Sequence, residues 1–225
     1  MPLWEHELKN AYIGEVWTPW SNTIAYYPLN WNANDESWNG NNGTASNITW
    51  DSWWDNGCAY FNWNSYINIP ALTNTTTRTY SFWVKCASNA SGDFLFTWDN
   101  SDKNLTFMVS SWKINTQMWK SWIWSPTRWI TNNYSNATVW DNTWHHIVVT
   151  VNGGTYTTYI DGVQDNVCNW SYWTTPISVN RMWMHPNWSS DKYTGYIDNM
   201  IIESKARTAQ EVADYYNLIK YNYWL

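Results

Sequence analysis

Between residues 23 and 203 the chain is a succession of short runs rich in β-branched and aromatic residues, each closed by Asn, Asp, Ser, Thr or Gly. The clearest are TIAYYPL (23–29), CAYFN (58–62), YINI (66–69), TYSFWVKC (79–86), DFLFTW (93–98), NLTFMVS (104–110), HHIVVTV (145–151), TYTTYI (155–160), ISVNRMWM (177–184) and GYIDNMIIE (195–203). Runs of this length suit strands, and a chain built from them must bury its sheets against one another. The pattern predicts an all-β, antiparallel sandwich. Asn152-Gly153-Gly154 can supply the positive φ of a tight hairpin, and Asp161-Gly162 ends the run that follows. Near the end the pattern changes. Thr208 followed by Glu211 is a capping-box pair, and Val212, Tyr215, Tyr216 and Ile219 recur at helical spacing. One amphipathic helix over 208–220, packed on the sandwich, is the expectation. Residues 1–20 have no clear period and are expected to form a tail or attachment segment ahead of a single domain, 21–225.

Composition narrows the function classes. Of 225 residues 13% are charged, with a formal net charge of −6. A nucleic-acid surface needs clustered Lys and Arg to displace counterions, so that class is excluded. No apolar run is long enough to cross a bilayer, which excludes membrane insertion by a helix. MPLWEHELKN lacks the basic stretch and apolar core of a secretory signal, so the expectation is that the chain either is not exported by that route or is a fragment. Cys58, Cys86 and Cys168 allow one disulfide at most and have no C-x-x-C spacing, so they are read as small core or surface residues.

Four segments, in order, resemble laminin-G-like, concanavalin-A-like jelly-roll domains: IAYYPLNWNANDESWNGNNGT (24–44), YSFWVK (80–85), NTWHHIVVTVNGGTYTTYIDG (142–162) and YTGYIDNMIIESKARTAQEVADYYN (193–217). The resemblance implies a jelly-roll β-sandwich and a recognition role for its loops. It also exposes an anomaly. Trp31, Trp38, Trp63 and Trp188 stand in turns where the family pattern carries Gly, whereas Trp83 and Trp144 stand where it carries Trp. The chain has 23 Trp and only 9 Gly, against roughly sixteen Gly for an average composition. One reading is a gene that uses UGA for Gly, translated with a table that reads UGA as Trp. The other is genuine Trp used for packing or for stacking on sugar rings; stacking residues should cluster on one face, and these are scattered.

Ca²⁺ takes six to eight oxygens from carboxylates, amides and carbonyls, and Asn34-Asp35-Glu36-Ser37 with Asn39, Asn41 and Asn42 offers many. The resemblance implies that this loop and the Asp of the late IDN strand share one calcium ion, with Asp35, Asn39 and Asp198 as ligands. The alternative is that these side chains make turn hydrogen bonds. Catalysis is poorly supported. Glycosidases need two carboxylates about 5–9.5 Å apart, and no E-x-D-x-E pattern occurs. In a regular strand Asp198 and Glu203, five residues apart, face opposite ways. His145 and His146 are adjacent in a strand, which suits packing beside Trp144.

The expected function is therefore a non-catalytic module that recognises a glycan or a cell-surface protein, with a structural calcium ion, working extracellularly. A structural or host-attachment part of a phage tail or other virion is the alternative, suggested by the leader ELKNAYIGEVWTPWSNTIAYYPL (7–29), with a homo-oligomer or virion assembly as its partner. A glycoside hydrolase is the third reading.

Overall fold

The computed structural model describes residues 21–52, 57–62, 64–70, 72, 76–86, 93–97, 103–110, 113–120, 129–169, 181–182 and 193–223. The expected tail 1–20, most of the leader at 7–29, Trp63 and Trp188 lie outside them.

Two antiparallel sheets make the fold, as the sequence predicts. The first contains β1 (Thr23–Tyr27), β3 (Thr49–Asp51), β4 (Cys58–Phe61), β6 (Thr77–Cys86), β11 (Trp144–Asn152), β12 (Thr155–Ile160), β13 (Val163–Asn169) and β15 (Gly195–Glu203). Its order is β13-β12-β11-β6-β15-β4-β3, with β1 also paired to β15. The second contains β2 (Thr44–Ser46), β5 (Tyr66–Asn68), β7 (Asp93–Thr97), β8 (Lys103–Ser110), β9 (Lys113–Lys120), β10 (Trp129–Tyr134) and β14 (Arg181–Met182), in the order β10-β9-β8-β7-β14-β5-β2. Strands β2, β3, β9, β10 and β13 were not legible as apolar runs. β13, VQDNVCN, is an edge strand with a largely exposed burial pattern, so no alternation marks it.

Alternation sets what each face of the first sheet buries. Tyr80, Phe82 and Val84 of β6, Ile147 and Val149 of β11, and Ile197 and Ile202 of β15 face the second sheet's Ile67, Ile114 and Met182 in one core. The opposite face is buried too. Trp83, Trp144 and Cys58 form a second cluster with Tyr223, and Val148 and Tyr159 pack on Val212. These C-terminal residues belong to helix α1 (Ala209–Ile219) and the 3-10 turn Lys220–Tyr223. The capping box is formed as the sequence predicts: Thr208 Oγ1 accepts from Glu211 N at 3.2 Å, and Glu211 Oε2 accepts from Thr208 N at 2.8 Å. Such caps contribute about 1 kcal/mol.

Both glycine hairpins are present. Asp161 and Gly162, at φ 51° and 79°, have the two positive values a type I′ turn requires. All three cysteines are free.

Trp31 and Trp38 adopt φ 66° and 69°. This left-handed region is a steric outlier for a bulky residue and costs on the order of 1–3 kcal/mol. Burial offsets little, since Trp31 is 52% exposed and Trp38 92%. Replacing both by Gly should raise the unfolding free energy by about 1–4 kcal/mol, after deducting the greater unfolded-state freedom of Gly. The larger share is expected from Trp38→Gly, and denaturant titration of the two single variants and the double variant measures it.

Candidate functional site

The loop at 30–43 gives Asp35 and Asn39 a definite task. β1 pairs with β15 along one edge only, and its other edge would expose unpaired peptide groups. The loop covers that edge with side chains. Asp35 Oδ1 accepts from Tyr26 N and from Ser37 N, both at 2.9 Å, and its Oδ2 accepts from Asn41 N at 2.9 Å. Glu36 N donates to Tyr26 O at 2.7 Å, Asn39 Nδ2 to Thr23 O at 2.7 Å, and Asn41 Nδ2 to Ile24 O at 2.8 Å. Asn and Asp thus stand in for a neighbouring strand.

Asp198 lies elsewhere. It is 5% exposed beneath the C-terminal turn. Its Oδ2 accepts from Tyr223 Oη at 2.6 Å and Asn199 Nδ2 at 3.1 Å, and its Oδ1 from Asn199 N at 2.9 Å. Tyr26 connects the two regions end to end, with its N–H bonded to Asp35 and its hydroxyl donating to Asn199 Oδ1 at 2.7 Å. Asp35 and Asp198 therefore sit at opposite ends of a tyrosine side chain, whereas ligands of one calcium ion must all lie about 2.3–2.6 Å from a common point. Among the described residues no group of three or more His, Cys, Asp or Glu side chains could hold a metal ion. Asp35, Asn39 and Asp198 do not fit one ion as a set.

Asp198 and Glu203 do not face opposite ways, because β15 is not a regular strand. Asp198 pairs with Trp83 but Ile201 pairs with Ser81, so β15 carries one extra residue there. The bulge sits at Asn199, with φ 47°. It brings Asp198 and Glu203 onto the same face, under the helix. Glu203 Oε2 accepts from Arg207 Nε at 2.6 Å with both side chains buried, so it is a structural ion pair.

The histidines are structural in their contacts. His145 Nδ1 lies 2.8 Å from Asp161 Oδ2, and its Nε2 3.2 Å from Asp141 Oδ1. Thr143 Oγ1 is 3.1 Å from His145 Nε2 and 2.6 Å from Asp141 Oδ1. The Thr143 hydroxyl holds Asp141 and His145 together, and the His145–Asp161 contact ties the start of β11 to the β12–β13 turn. His146 packs against both Trp83 and Tyr216, with ring centroids 5.1 and 6.1 Å away, and its Nε2 is 2.8 Å from Ser81 Oγ.

One row further along the outer face, the cover ends. Cross-strand pairing sets Thr49, Tyr60, Tyr196, Lys85 and Trp144 in line across β3, β4, β15, β6 and β11. Tyr60 and Tyr196 are half-buried, with ring centroids 4.9 Å apart and planes tilted by 53°. Tyr196 Oη donates to Asp51 Oδ2 at 3.2 Å, and burial followed by the Asp51 charge pushes the phenol up to about 12. Trp144 backs the pair, its ring 6.3 Å from that of Tyr196. The result is a firm shelf of two amphipathic rings with a carboxylate beside it. Sequence reading missed it, because the contributing residues come from five strands and only their register aligns them.

A family profile for the concanavalin A-like lectin/glucanases superfamily matches residues 60–213. No curated protein sequence matches the chain. Among solved structures, domain 4 of AbnA, a GH43 extracellular arabinanase from Geobacillus stearothermophilus solved with arabinotriose, is similar with a TM-score of 0.71 at 21% identity, covering 86% of this chain and 97% of that one. The binding domain of Paraclostridial Mosquitocidal Protein 1 is similar with a TM-score of 0.72 at 16% identity, covering 89% of this chain and 53% of that one. The botulinum neurotoxin serotype D/C VPI 5993 binding domain gives 0.68 at 13% identity, with 91% and 54% covered. The chain thus spans about half the length of these toxin binding domains. Among the described residues no helix is long and apolar enough to cross a membrane.

Two predictions test the buried layer and the loop. Burial pushes Asp198 up to about 7, against the pull of its donors, and pushes His146 down to about 3, helped by the Arg207 charge. For Asp198 the folded protein holds a proton that the unfolded chain releases, so its contribution is complete below about pH 4 and is lost as pH rises to 7. For His146 the unfolded chain takes up a proton that the folded state refuses, so stability is lost as pH falls from 6.5. The two trends oppose each other across one window. Asp198→Asn mimics the neutral acid and removes the first, so variant stability minus wild-type stability should climb by about 3 kcal/mol between pH 4 and 7. A flat difference in urea titrations would mean that Asp198 is ionised throughout. Calcium added to chelator-treated protein should produce no binding heat and no change in melting temperature, because both Asp35 oxygens already hold the loop closed. A rise of several degrees would show the loop rearranging around an ion.

Proposed function

The chain belongs to the concanavalin A-like lectin/glucanases superfamily, and on that premise we propose that it is a non-catalytic module that binds a glycan on the tyrosine shelf of its helix-bearing sheet. The observation that carries this reading is the Tyr60–Tyr196 pair, half-exposed beside Asp51. A pyranose or furanose ring has an apolar face that stacks on an aromatic side chain, and hydroxyls that bond a carboxylate. Strand-borne rings lose little freedom on binding, which favours a shallow site.

Support also comes from the likeness to a domain solved with arabinotriose and to domains described as binding domains. The non-catalytic part of the reading rests on the carboxylates. Asp198 and Glu203 share a face but lie beneath the helix, where no glycosidic bond can reach them. A glycan-binding module suits work outside the cell, on a polysaccharide or a cell surface.

Immobilised protein screened against an oligosaccharide panel that includes arabino-oligosaccharides tests the proposal. Tyr60→Ala and Tyr196→Ala should each weaken binding by roughly tenfold, about 1.4 kcal/mol, when measured well below each variant's own melting temperature. Glycan binding untouched by both substitutions would move the site off the shelf, and no binding across the panel would overturn the glycan reading.

A further inference from the structure

We infer that glycine stands at positions 31 and 38 in the protein its host makes, and that the host's translation system reads UGA as glycine. Three independent observations meet here. The chain has 23 Trp and 9 Gly, an excess of one residue and a shortage of the other. Both described tryptophans in the Asn-rich loop have positive φ, in the region that favours glycine. Neither uses its indole well. Trp38 is almost wholly exposed, and the Trp31 ring lies over Gly57, where a Cβ would come within 2.8 Å of it.

The other described tryptophans behave differently. Trp50, Trp119 and Trp129 lie in strands, Trp83, Trp140 and Trp144 are buried, and none of the six has a positive φ. Trp83 is the centre of the cluster under the helix, stacked 3.7 Å from Tyr223. The remaining positive-φ positions carry Gly, Asn or Asp, with Leu29 as the sole other exception among the described residues. Asn and Asp tolerate this region through local hydrogen bonds, and Trp has no such compensation.

A single substitution of meaning accounts for the whole pattern. UGA differs by one base from the Trp codon UGG and by one base from the Gly codon GGA. A table that assigns UGA to Trp therefore converts every UGA-encoded glycine into tryptophan, lowering one count as it raises the other. Tryptophans encoded by UGG, such as the buried three, are left unchanged. Trp63 and Trp188, which share the turn-like sequence setting, belong with Trp31 and Trp38.

This inference is independent of the proposed glycan site, which uses tyrosines. The test is the nucleotide sequence together with the peptide masses of protein isolated from its own host. The inference requires UGA at 31, 38, 63 and 188, UGG at 83, 140 and 144, and peptide masses that fit Gly at the first four. UGG at 31 or 38 overturns it. UGA there with peptide masses that fit Trp overturns it as well, because the host would then read the codon as Trp.

Discussion

The extra residue in β15 is the constraint on which the helix-bearing side of the sandwich depends. β15 runs beside β6 for its whole length, but on its other edge it serves β4 over residues 195–197 and β1 over residues 200–203. The bulge at Asn199 falls between those two partners. A regular strand would send Asp198 and Glu203 to opposite faces. The bulge instead keeps Ile197, Met200 and Ile202 in the core while both acids turn outward. Each then finds a partner from the C-terminal region, Tyr223 for Asp198 and Arg207 for Glu203. Asparagine suits the left-handed conformation, and its amide joins the same network through Tyr26.

That network explains why the C-terminal helix stays in place with a single fully buried residue, Val212. Val212 on Val148 and Tyr159, and Tyr216 on His146 and Trp83, hold its middle, and further contacts fix its two ends. At one end are the capping box, the Lys205–Glu211 ion pair and the Glu203–Arg207 pair. At the other end Tyr223 stacks on Trp83, meets Trp144 edge-on and donates to Asp198. The cover stops there, which leaves Tyr60 and Tyr196 half-open beside a rigid aromatic wall. Position of the proposed binding surface is thus a consequence of where the chain's last turn ends.

The loop at 30–43 shows how a polar, Asn-rich sequence can be read in two ways. Its oxygens and amides were expected to gather around a cation. In the fold they are hydrogen-bonded to the free edge of β1, with Asp35 accepting three backbone N–H groups and Asn39 and Asn41 donating to strand carbonyls. Residue types alone do not separate these outcomes, because a carboxylate that accepts N–H bonds and one that ligates a metal need the same chemistry. What separates them is whether Asp198 comes near, and that depends on the path of a strand more than 150 residues away in sequence.

By itself the sequence determined the all-β class, ten of the strands, the glycine hairpins, the capped helix and the glycine-like character of positions 31 and 38. All of these rest on local rules: side-chain periodicity, φ preferences and contacts within a turn. Only the tertiary structure decided that Asp198 and Glu203 share a face, that Asp35 closes a strand edge, and that Tyr60 and Tyr196 stand together. Each of those depends on the register between strands distant in the chain, and register is set by the packing of whole faces.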